Sequence, residues 1–125
     1  MDKKKKVMIV EDDTVLANAL SLALQDEGYE LSLATDGEEA ERMIKNEIPD
    51  LVLLDLLLPI KNGFEVLKTM RLNPATREIA VVILTNFEQE TSINEGKKLG
   101  AKDYIVKANV DIQNIPEIVK RNLPQ

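Results

Sequence analysis

The stretch LVLLDLLLP, residues 51–59, places one ionisable side chain, that of Asp55, inside an otherwise apolar run. A buried carboxylate is costly unless it becomes protonated or finds a partner. The four residues before the aspartate are all apolar, which is typical of a central strand in a parallel sheet that helices cover on both faces. We therefore interpret Asp55 as the residue that directly follows a buried strand, where its carboxylate meets other charged groups.

The rest of the chain continues this pattern of short apolar runs separated by helical segments. Between the runs, apolar residues repeat at spacings of three and four, which predicts helices with one buried face. Gly28 is expected to cap the end of the first helix, and Asp36 with Gly37 the start of the second. Strand followed by helix, five times, predicts a single α/β domain, residues 1–125, with a parallel sheet and helices on both faces. The predicted strands are residues 7–10, 30–34, 51–54, 80–84 and 104–106.

Composition limits what this domain binds. The net charge of −6 gives no electrostatic footprint for nucleic acid, and no apolar run approaches the roughly 20 residues that cross a bilayer. The chain has no cysteine and no histidine, so a bound metal must be held by oxygen atoms, which suits Mg²⁺ or Ca²⁺. Lysines at positions 3–6 precede an apolar run too short for a secretion signal. We expect a cytoplasmic protein without membrane insertion.

Polar residues follow the predicted strands at the points where the strands end. In an open parallel sheet, binding sites form outside these carboxyl ends. Clustered carboxylates raise one another's pKa unless a cation joins them, and Mg²⁺ commonly takes one or two carboxylates with waters and phosphate oxygens. The residues at this edge are Glu11, Asp12 and Asp13 after the first strand, Asp55 after the third, Thr85 and Asn86 after the fourth, and Lys107 after the fifth.

These side chains suit phosphoryl transfer. With a metal bound, Asp55 would stay ionised and attack phosphorus, and carboxylates do form aspartyl-phosphates. Lys107 would neutralise charge on the phosphoryl oxygens, and the Thr85 hydroxyl would donate a hydrogen bond to one of them. The sequence therefore predicts a phosphoacceptor site that depends on Mg²⁺.

Four motifs in order resemble the receiver domain of two-component response regulators over essentially the whole chain. The resemblance is to stand-alone regulators of the chemotaxis type. It implies a flavodoxin-like, doubly wound sheet of five parallel strands in the order 2-1-3-4-5, with five helices completing three layers. The motifs are VMIVEDD at residues 7–13, LVLLDLLLPIKNG at 51–63, VVILTN at 81–86 and GAKDYIVKA at 100–108.

The same resemblance assigns roles to individual residues. Asp55 is the implied phosphoacceptor, and Thr85 and Lys107 bind the phosphoryl group. Thr85 and Tyr104 form the implied switch, in which the aromatic ring turns inward as the threonine moves. Mg²⁺ is the implied cofactor. Its protein ligands would be Asp12, Asp55, the backbone carbonyl of Leu57 and, through a water molecule, Glu11.

Partners also follow from the resemblance. A histidine kinase or phosphotransfer protein would donate the phosphoryl group. A downstream protein, or a second copy of the chain, would bind the face formed by residues 88–122. The domain would catalyse its own phosphorylation and slow dephosphorylation without being a turnover enzyme.

Several positions depart from the family pattern. Ala108 stands where the family usually has a proline after a cis bond, and a cis bond before alanine would cost about 2.5–4 kcal/mol, so we expect a trans bond. Asn86 replaces a small residue and is expected to narrow access to the site or the path of Tyr104. Leu57 and Phe87 are apolar at positions that tune water access in this family, which predicts a long-lived phosphoryl group.

Three other functions share part of this pattern. A degenerate receiver would serve as a docking module that does not need phosphorylation, and Asn86 and Ala108 leave this open. A Mg²⁺-dependent aspartyl-phosphate hydrolase would need a second acid, commonly two residues after the nucleophile, where this chain has Leu57. A dinucleotide-binding domain would need a glycine-rich first turn, whereas the turn EDDT at residues 11–14 would repel a pyrophosphate.

Overall fold

The computed structural model describes residues 3–124, in which strands and helices alternate along the chain. The strands are β1 (Lys6–Val10), β2 (Glu30–Ala34), β3 (Leu51–Leu54), β4 (Ala80–Thr85) and β5 (Asp103–Val106). The helices are α1 (Thr14–Gln25), α2 (Gly37–Glu47), α3 (Gly63–Leu72), α4 (Glu90–Lys98) and α5 (Ile115–Asn122). Two short 3₁₀ turns, Lys107–Asn109 and Ile112–Asn114, lie between β5 and α5.

The strands form one parallel sheet in the order β2-β1-β3-β4-β5. This is the flavodoxin-like topology that the sequence predicted, and the fold prediction is confirmed. The predicted limits of β2 and β3 agree with the structure, whereas β1 and β5 begin one residue earlier and β4 continues to Thr85. The order brings β1 and β3 side by side, so that the loops following these strands adjoin at one edge of the sheet.

Apolar side chains fill both faces of the sheet, which explains why the central strands read as uninterrupted apolar runs. All four residues of β3 are buried, with alternate side chains on opposite faces. One face packs against α2 and α3 and the other against α1 and α5. Each fully buried aliphatic side chain contributes about 1.5–3 kcal/mol. The side chains of Val52 and Leu54 lie on one face of β3, and those of Leu51 and Leu53 lie on the other.

Aspartate and asparagine side chains fix where three helices begin. Asp13 accepts hydrogen bonds from the first backbone amides of α1, Asp36 caps α2 as predicted, and Asn62 makes a capping box with Glu65 at the start of α3. The predicted role of Gly28 is wrong in detail: α1 ends at Gln25, and Gly28 lies beyond it with a φ of +83°. Gly28 therefore shapes the turn into β2.

Arg71 joins the end of α3 to two loops at the amino edge of the sheet. Its guanidinium donates hydrogen bonds to the carbonyl oxygens of Leu99, Arg77, Ile79 and Gly100 at 2.7, 2.7, 2.9 and 3.2 Å. Five fixed N–H groups suit arginine to this arrangement. The hydrogen bonds to Leu99 and Gly100 hold the turn between α4 and β5 in place. No helix in the described part of the chain has the length and apolar character to cross a membrane.

Candidate functional site

The site lies at the carboxyl edge of the sheet, where the strand ladder continues by one residue into each loop. The Glu11 amide donates to the Ala34 carbonyl at 3.0 Å, and the Asp55 amide donates to the Val10 carbonyl at 3.1 Å. These bonds fix the backbone of both acids as rigidly as that of a strand residue. Their side chains then project from the sheet edge at defined positions.

Three carboxylates converge at this edge. Glu11, Asp12 and Asp55 each offer one oxygen atom, and these oxygens lie within 4.8 Å of one another. The side chains of Glu11 and Asp55 are only 3% and 4% exposed, whereas Asp12 is exposed to solvent. A set of carboxylate oxygens open to water on one side suits Mg²⁺, which keeps several of its waters. The acidic cluster that the sequence predicted is therefore formed in the structure.

Lys107 bridges the two buried carboxylates. Its Nζ lies 2.7 Å from Glu11 Oε1 and 2.7 Å from Asp55 Oδ2, and its side chain is 17% exposed. Burial alone would lower the pKa of Lys107, but the hydrogen bonds to Asp55 and Glu11 outweigh it and raise that pKa. The ammonium therefore stays charged beside the cluster and supplies the positive charge that two buried acids need.

The remaining oxygen of each buried carboxylate is held by a backbone amide. Asp55 Oδ1 accepts from the Leu57 amide at 3.1 Å, and Glu11 Oε2 accepts from the Asp13 amide at 3.1 Å. Burial nevertheless raises the pKa of Glu11, although the hydrogen bonds from Lys107 and Asp13 act to lower it. Both carboxylates thus have a fixed orientation, with one oxygen toward the backbone and one toward Lys107.

Thr85 ends β4 beside this cluster. Its residue surface is fully buried, and among the described residues its Oγ1 has no hydrogen-bond partner. An unpaired buried hydroxyl costs about 1–3 kcal/mol and is uncommon in proteins. The hydroxyl is therefore a free donor at the edge where the sequence placed a phosphoryl-binding group.

Tyr104 lies on β5 with its ring half-buried against the core. Its hydroxyl donates to the Phe87 carbonyl at 2.9 Å, which ties β5 to the loop after β4. Burial, and secondarily the negative charge of Asp55, raises the pKa of Tyr104. Asn86, in the same loop, is exposed. The switch role of Tyr104 and the effect of Asn86 on access stay predictions.

The change from proline to Ala108 does not displace Lys107. The described residues contain no cis peptide bond, so the bond between Lys107 and Ala108 is trans, as expected. Lys107 begins a 3₁₀ turn directly after β5, and from there its ammonium reaches both Glu11 and Asp55.

Two glycines support the loop between β3 and α3. The resemblance placed Gly63 in this loop, whereas the contact of Gly37 with the loop was not predicted. A Cβ on Gly63 would collide with the backbone of Asp55 and Leu56, and a Cβ on Gly37 would collide with the Lys61 carbonyl. Each glycine occupies the first position of a helix, where a residue without a side chain allows close approach of another backbone.

Comparison with known proteins identifies the family. The family model described as response regulator receiver domain matches residues 7–120. The chain is 35% identical over 102 residues to the phosphate regulon transcriptional regulatory protein PhoB of Rhizobium meliloti strain 1021, covering 82% of this chain and 45% of that protein. The chain thus spans less than half the length of this relative. It belongs to the response regulator receiver domain family.

Solved structures agree with this assignment. A putative response regulator from Chloroflexus aurantiacus superposes with a TM-score of 0.88 at 33% identity, covering 98% of this chain and all (100%) of that one. The Mn²⁺-bound form of the response regulator Rcp1 superposes with a TM-score of 0.85 at 28% identity, covering 97% and 99%. The chain and these solved response regulators therefore share one receiver-domain fold.

Replacing Lys107 by methionine tests the bridge. The change would leave Glu11 and Asp55 buried side by side without their counter-ion, which is strongly destabilising. Because Lys107 is partly exposed, we expect the free energy of unfolding to fall by roughly 2–3 kcal/mol, somewhat less than the roughly 3–5 kcal/mol for breaking a fully buried pair. Urea unfolding in buffer that contains a chelator measures the loss.

Lys61→Met is the matched control. Lys61 pairs with Glu41 at 2.9 Å, but the lysine side chain is 36% exposed, so the loss should be much smaller. Equal losses in the two variants would contradict the special importance of the Lys107 bridge.

Proposed function

We propose that Asp55 accepts a phosphoryl group from a histidine kinase or phosphotransfer protein, and that the chain thereby acts as a signalling switch. The observation that best supports this is the placement of the Asp55 carboxylate, between two other acids and the Lys107 ammonium. Carboxylates act as nucleophiles toward phosphorus and form aspartyl-phosphates.

The donor set fits Mg²⁺, which we propose as the cofactor. Glu11 and Asp12 place carboxylate oxygens near those of Asp55, and the chain has no histidine or cysteine that could supply a nitrogen or sulfur ligand. The backbone carbonyl of Leu57 is the proposed fourth protein ligand. The Mn²⁺-bound state of the related Rcp1 supports a divalent ion in this family. Bound Mg²⁺ would offset negative charge on the phosphoryl oxygens.

In the proposed transfer step, the phosphoryl group moves from the donor to Asp55. An oxygen of Asp55 forms a bond to phosphorus while the phosphorus–nitrogen bond of the donor phosphohistidine breaks. The imidazole leaves with the electrons of that bond and takes up a proton. Lys107 stays near the phosphoryl oxygens as a point charge, and Thr85 donates its free hydroxyl to one of them. With acetyl phosphate as donor, acetate is the leaving group instead.

The phosphoryl group then adds about −1.5 to −2 charge and strong acceptors at a buried edge. In the proposed switch, Thr85 moves toward these acceptors and the Tyr104 ring, on the neighbouring strand, follows. Tyr104 contacts the loop before α4 through the Phe87 carbonyl and lies against Gly96 of α4. We therefore propose that residues 88–122 carry the signal to a downstream protein or to a second copy.

We propose that the chain is not a turnover enzyme. The alternative, a phosphohydrolase with an aspartate nucleophile, needs a second acid to protonate the leaving group. Such enzymes commonly have this acid at the position that Leu57 occupies in this chain. The backbone amide of Leu57 donates a hydrogen bond to Asp55. The other alternative, a docking module that ignores phosphorylation, fits poorly with a lysine kept 2.7 Å from Asp55 despite the change at Ala108.

Intact mass after incubation with acetyl phosphate and Mg²⁺ tests the proposal. We expect one phosphoryl adduct on the wild type and none on Asp55→Asn, because the amide cannot attack phosphorus. A chelator should abolish the adduct. Asp13→Asn is the matched control: asparagine still caps α1, and the adduct should form. An adduct on Asp55→Asn, or none on the wild type, would refute the assignment of Asp55.

Leu57→Asn tests the predicted long life of the phosphoryl group. An asparagine amide can hold an attacking water beside the phosphoryl group, which the leucine side chain cannot. We expect the adduct to decay over many minutes in the wild type and roughly fivefold faster in the variant, since removing ordered water slows hydrolysis. Decay is followed by mass after the donor is removed. Leu72→Asn, at an exposed site on α3, should decay like the wild type.

A lifetime of a few seconds in the wild type would contradict this expectation. Equal decay rates in Leu57→Asn and the wild type would contradict it as well. Neither result would affect the assignment of Asp55 itself.

A further inference from the structure

A cleft opens at the amino edge of the sheet, between the end of α3, the start of β4 and the turn from α4 to β5. Its volume is about 450 Å³, within the range of small-molecule sites. We call it the amino-edge cleft. Of its charged lining side chains, only that of Glu78 is acidic. The four cationic ones are Arg71, Arg77, Lys98 and Lys102.

This concentration of positive charge contrasts with the rest of the chain. The chain has 22 acidic and only 16 basic residues, so a quarter of its basic side chains line this one cleft. Four ion pairs form in the described part of the chain, and none of them includes a cation of the cleft. Cations that are grouped without acids repel one another, and an anion placed among them reverses the sign of that interaction.

Arg71 is the fixed member of this group. An arginine side chain has five N–H groups, and four of those of Arg71 donate to carbonyl oxygens. The fifth, on Nη2, has no partner among the described residues. Burial lowers the pKa of Arg71, although the charge of Glu78 acts to raise it. Neutral carbonyls satisfy the hydrogen bonds but leave the positive charge uncompensated, and an anion in the cleft would compensate it.

The end of α4 beside the cleft does not cancel this positive charge. Free carbonyl oxygens at the end of a helix normally repel anions. Here the carbonyls of Gly96 and Lys97 accept hydrogen bonds from amides of the following turn, both at 3.0 Å. Those of Leu99 and Gly100 accept from Arg71. Four carbonyl oxygens that would disfavour an anion are therefore already occupied.

The acidic cluster lies at the opposite edge of the sheet. β4 runs from Ala80, which lines the cleft, to Thr85, which lies beside Asp55. At about 3.3 Å per residue, this strand separates the two edges by roughly 16 Å. The Debye length at physiological ionic strength is about 8 Å, so the field of the acids is much weakened at the cleft. The net negative charge of the chain therefore does not prevent an anion from binding there.

We propose that the amino-edge cleft binds a small anion that carries two or more linked phosphate groups. A guanidinium pairs with phosphate oxygens through parallel hydrogen bonds, and lysine ammonium groups bind them as point charges. Linked phosphates bring several negative charges into one cleft, whereas a single carboxylate would meet only one of the four cations. An inorganic phosphate chain and a nucleotide both present this chemistry. The cleft is separate from Asp55, and the proposal does not rest on the proposed function.

Isothermal titration calorimetry in buffer with a chelator tests the proposal. The probes are inorganic triphosphate and ATP, and sulfate and citrate control for charge alone. The chelator removes divalent ions through which a phosphate could bind at Asp55. We expect one triphosphate to bind per chain, at least about tenfold more tightly than sulfate or citrate. Equal affinity for ATP would show that the phosphates alone are recognised, and tighter binding of ATP would identify a nucleotide as the ligand.

Two double variants with the same change in charge locate the site. Lys98→Gln with Lys102→Gln removes two cations of the cleft. Lys45→Gln with Lys120→Gln removes two exposed lysines elsewhere, and Lys45, Lys120 and Lys98 each lie in the last turn of a helix. We expect the Kd for triphosphate to rise at least about tenfold in the cleft variant and less than about twofold in the control, because screening limits the effect of distant charges.

Nuclear magnetic resonance of the wild type gives a second measurement that needs no variant. Added triphosphate should shift the amide signals of residues 77–80 and 98–102. Shifts centred on residues 11–13 and 55–57 would place the anion at the phosphoacceptor edge and overturn the proposal. Failure of both triphosphate and ATP to bind at millimolar concentration would also overturn it. So would equal losses in the two double variants, or citrate or sulfate binding as tightly as triphosphate. None of these results depends on whether Asp55 is phosphorylated.

Discussion

The bridge that Lys107 forms between Glu11 and Asp55 is the interaction on which the site depends. Parallel strands β1 and β3 end side by side, so that the two acids after them are forced together in a place with little water. Each acid uses one oxygen for a backbone amide and the other for the lysine. The positive charge that partners both acids is also what a phosphoryl group needs. One arrangement therefore serves stability and chemistry.

The sequence was informative about the sheet because its signals are local. Apolar runs marked β2 and β3 to the residue, and parallel topology then implied that the residues after each strand share one edge. That reasoning alone brought Glu11, Asp55 and Lys107 to the same place. The limits of β1, β4 and β5 were less exact because their end residues, such as Thr85, are polar yet still pair in the sheet.

Features that depend on contacts between distant segments were not predictable. The four carbonyl contacts of Arg71 and the close approach of Gly37 to Lys61 join residues far apart in the chain, and the sequence pattern carries no record of them. The left-handed conformation of Ile60 is a similar case, since isoleucine is the last residue that local propensity would place there. The sequence also did not show that Lys107 still contacts Glu11 and Asp55 when alanine follows it. This depends on the 3₁₀ turn that begins at Lys107.

We propose that three carboxylates hold one divalent ion beside the phosphoacceptor. Anomalous diffraction at the manganese edge, from crystals grown with Mn²⁺, would locate this ion, since Mn²⁺ prefers the same oxygen ligands as Mg²⁺. We expect one strong peak bonded to oxygens of Asp12 and Asp55, with Glu11 in contact directly or through water. Absence of a peak there, with manganese bound to acids elsewhere on the surface, would contradict it.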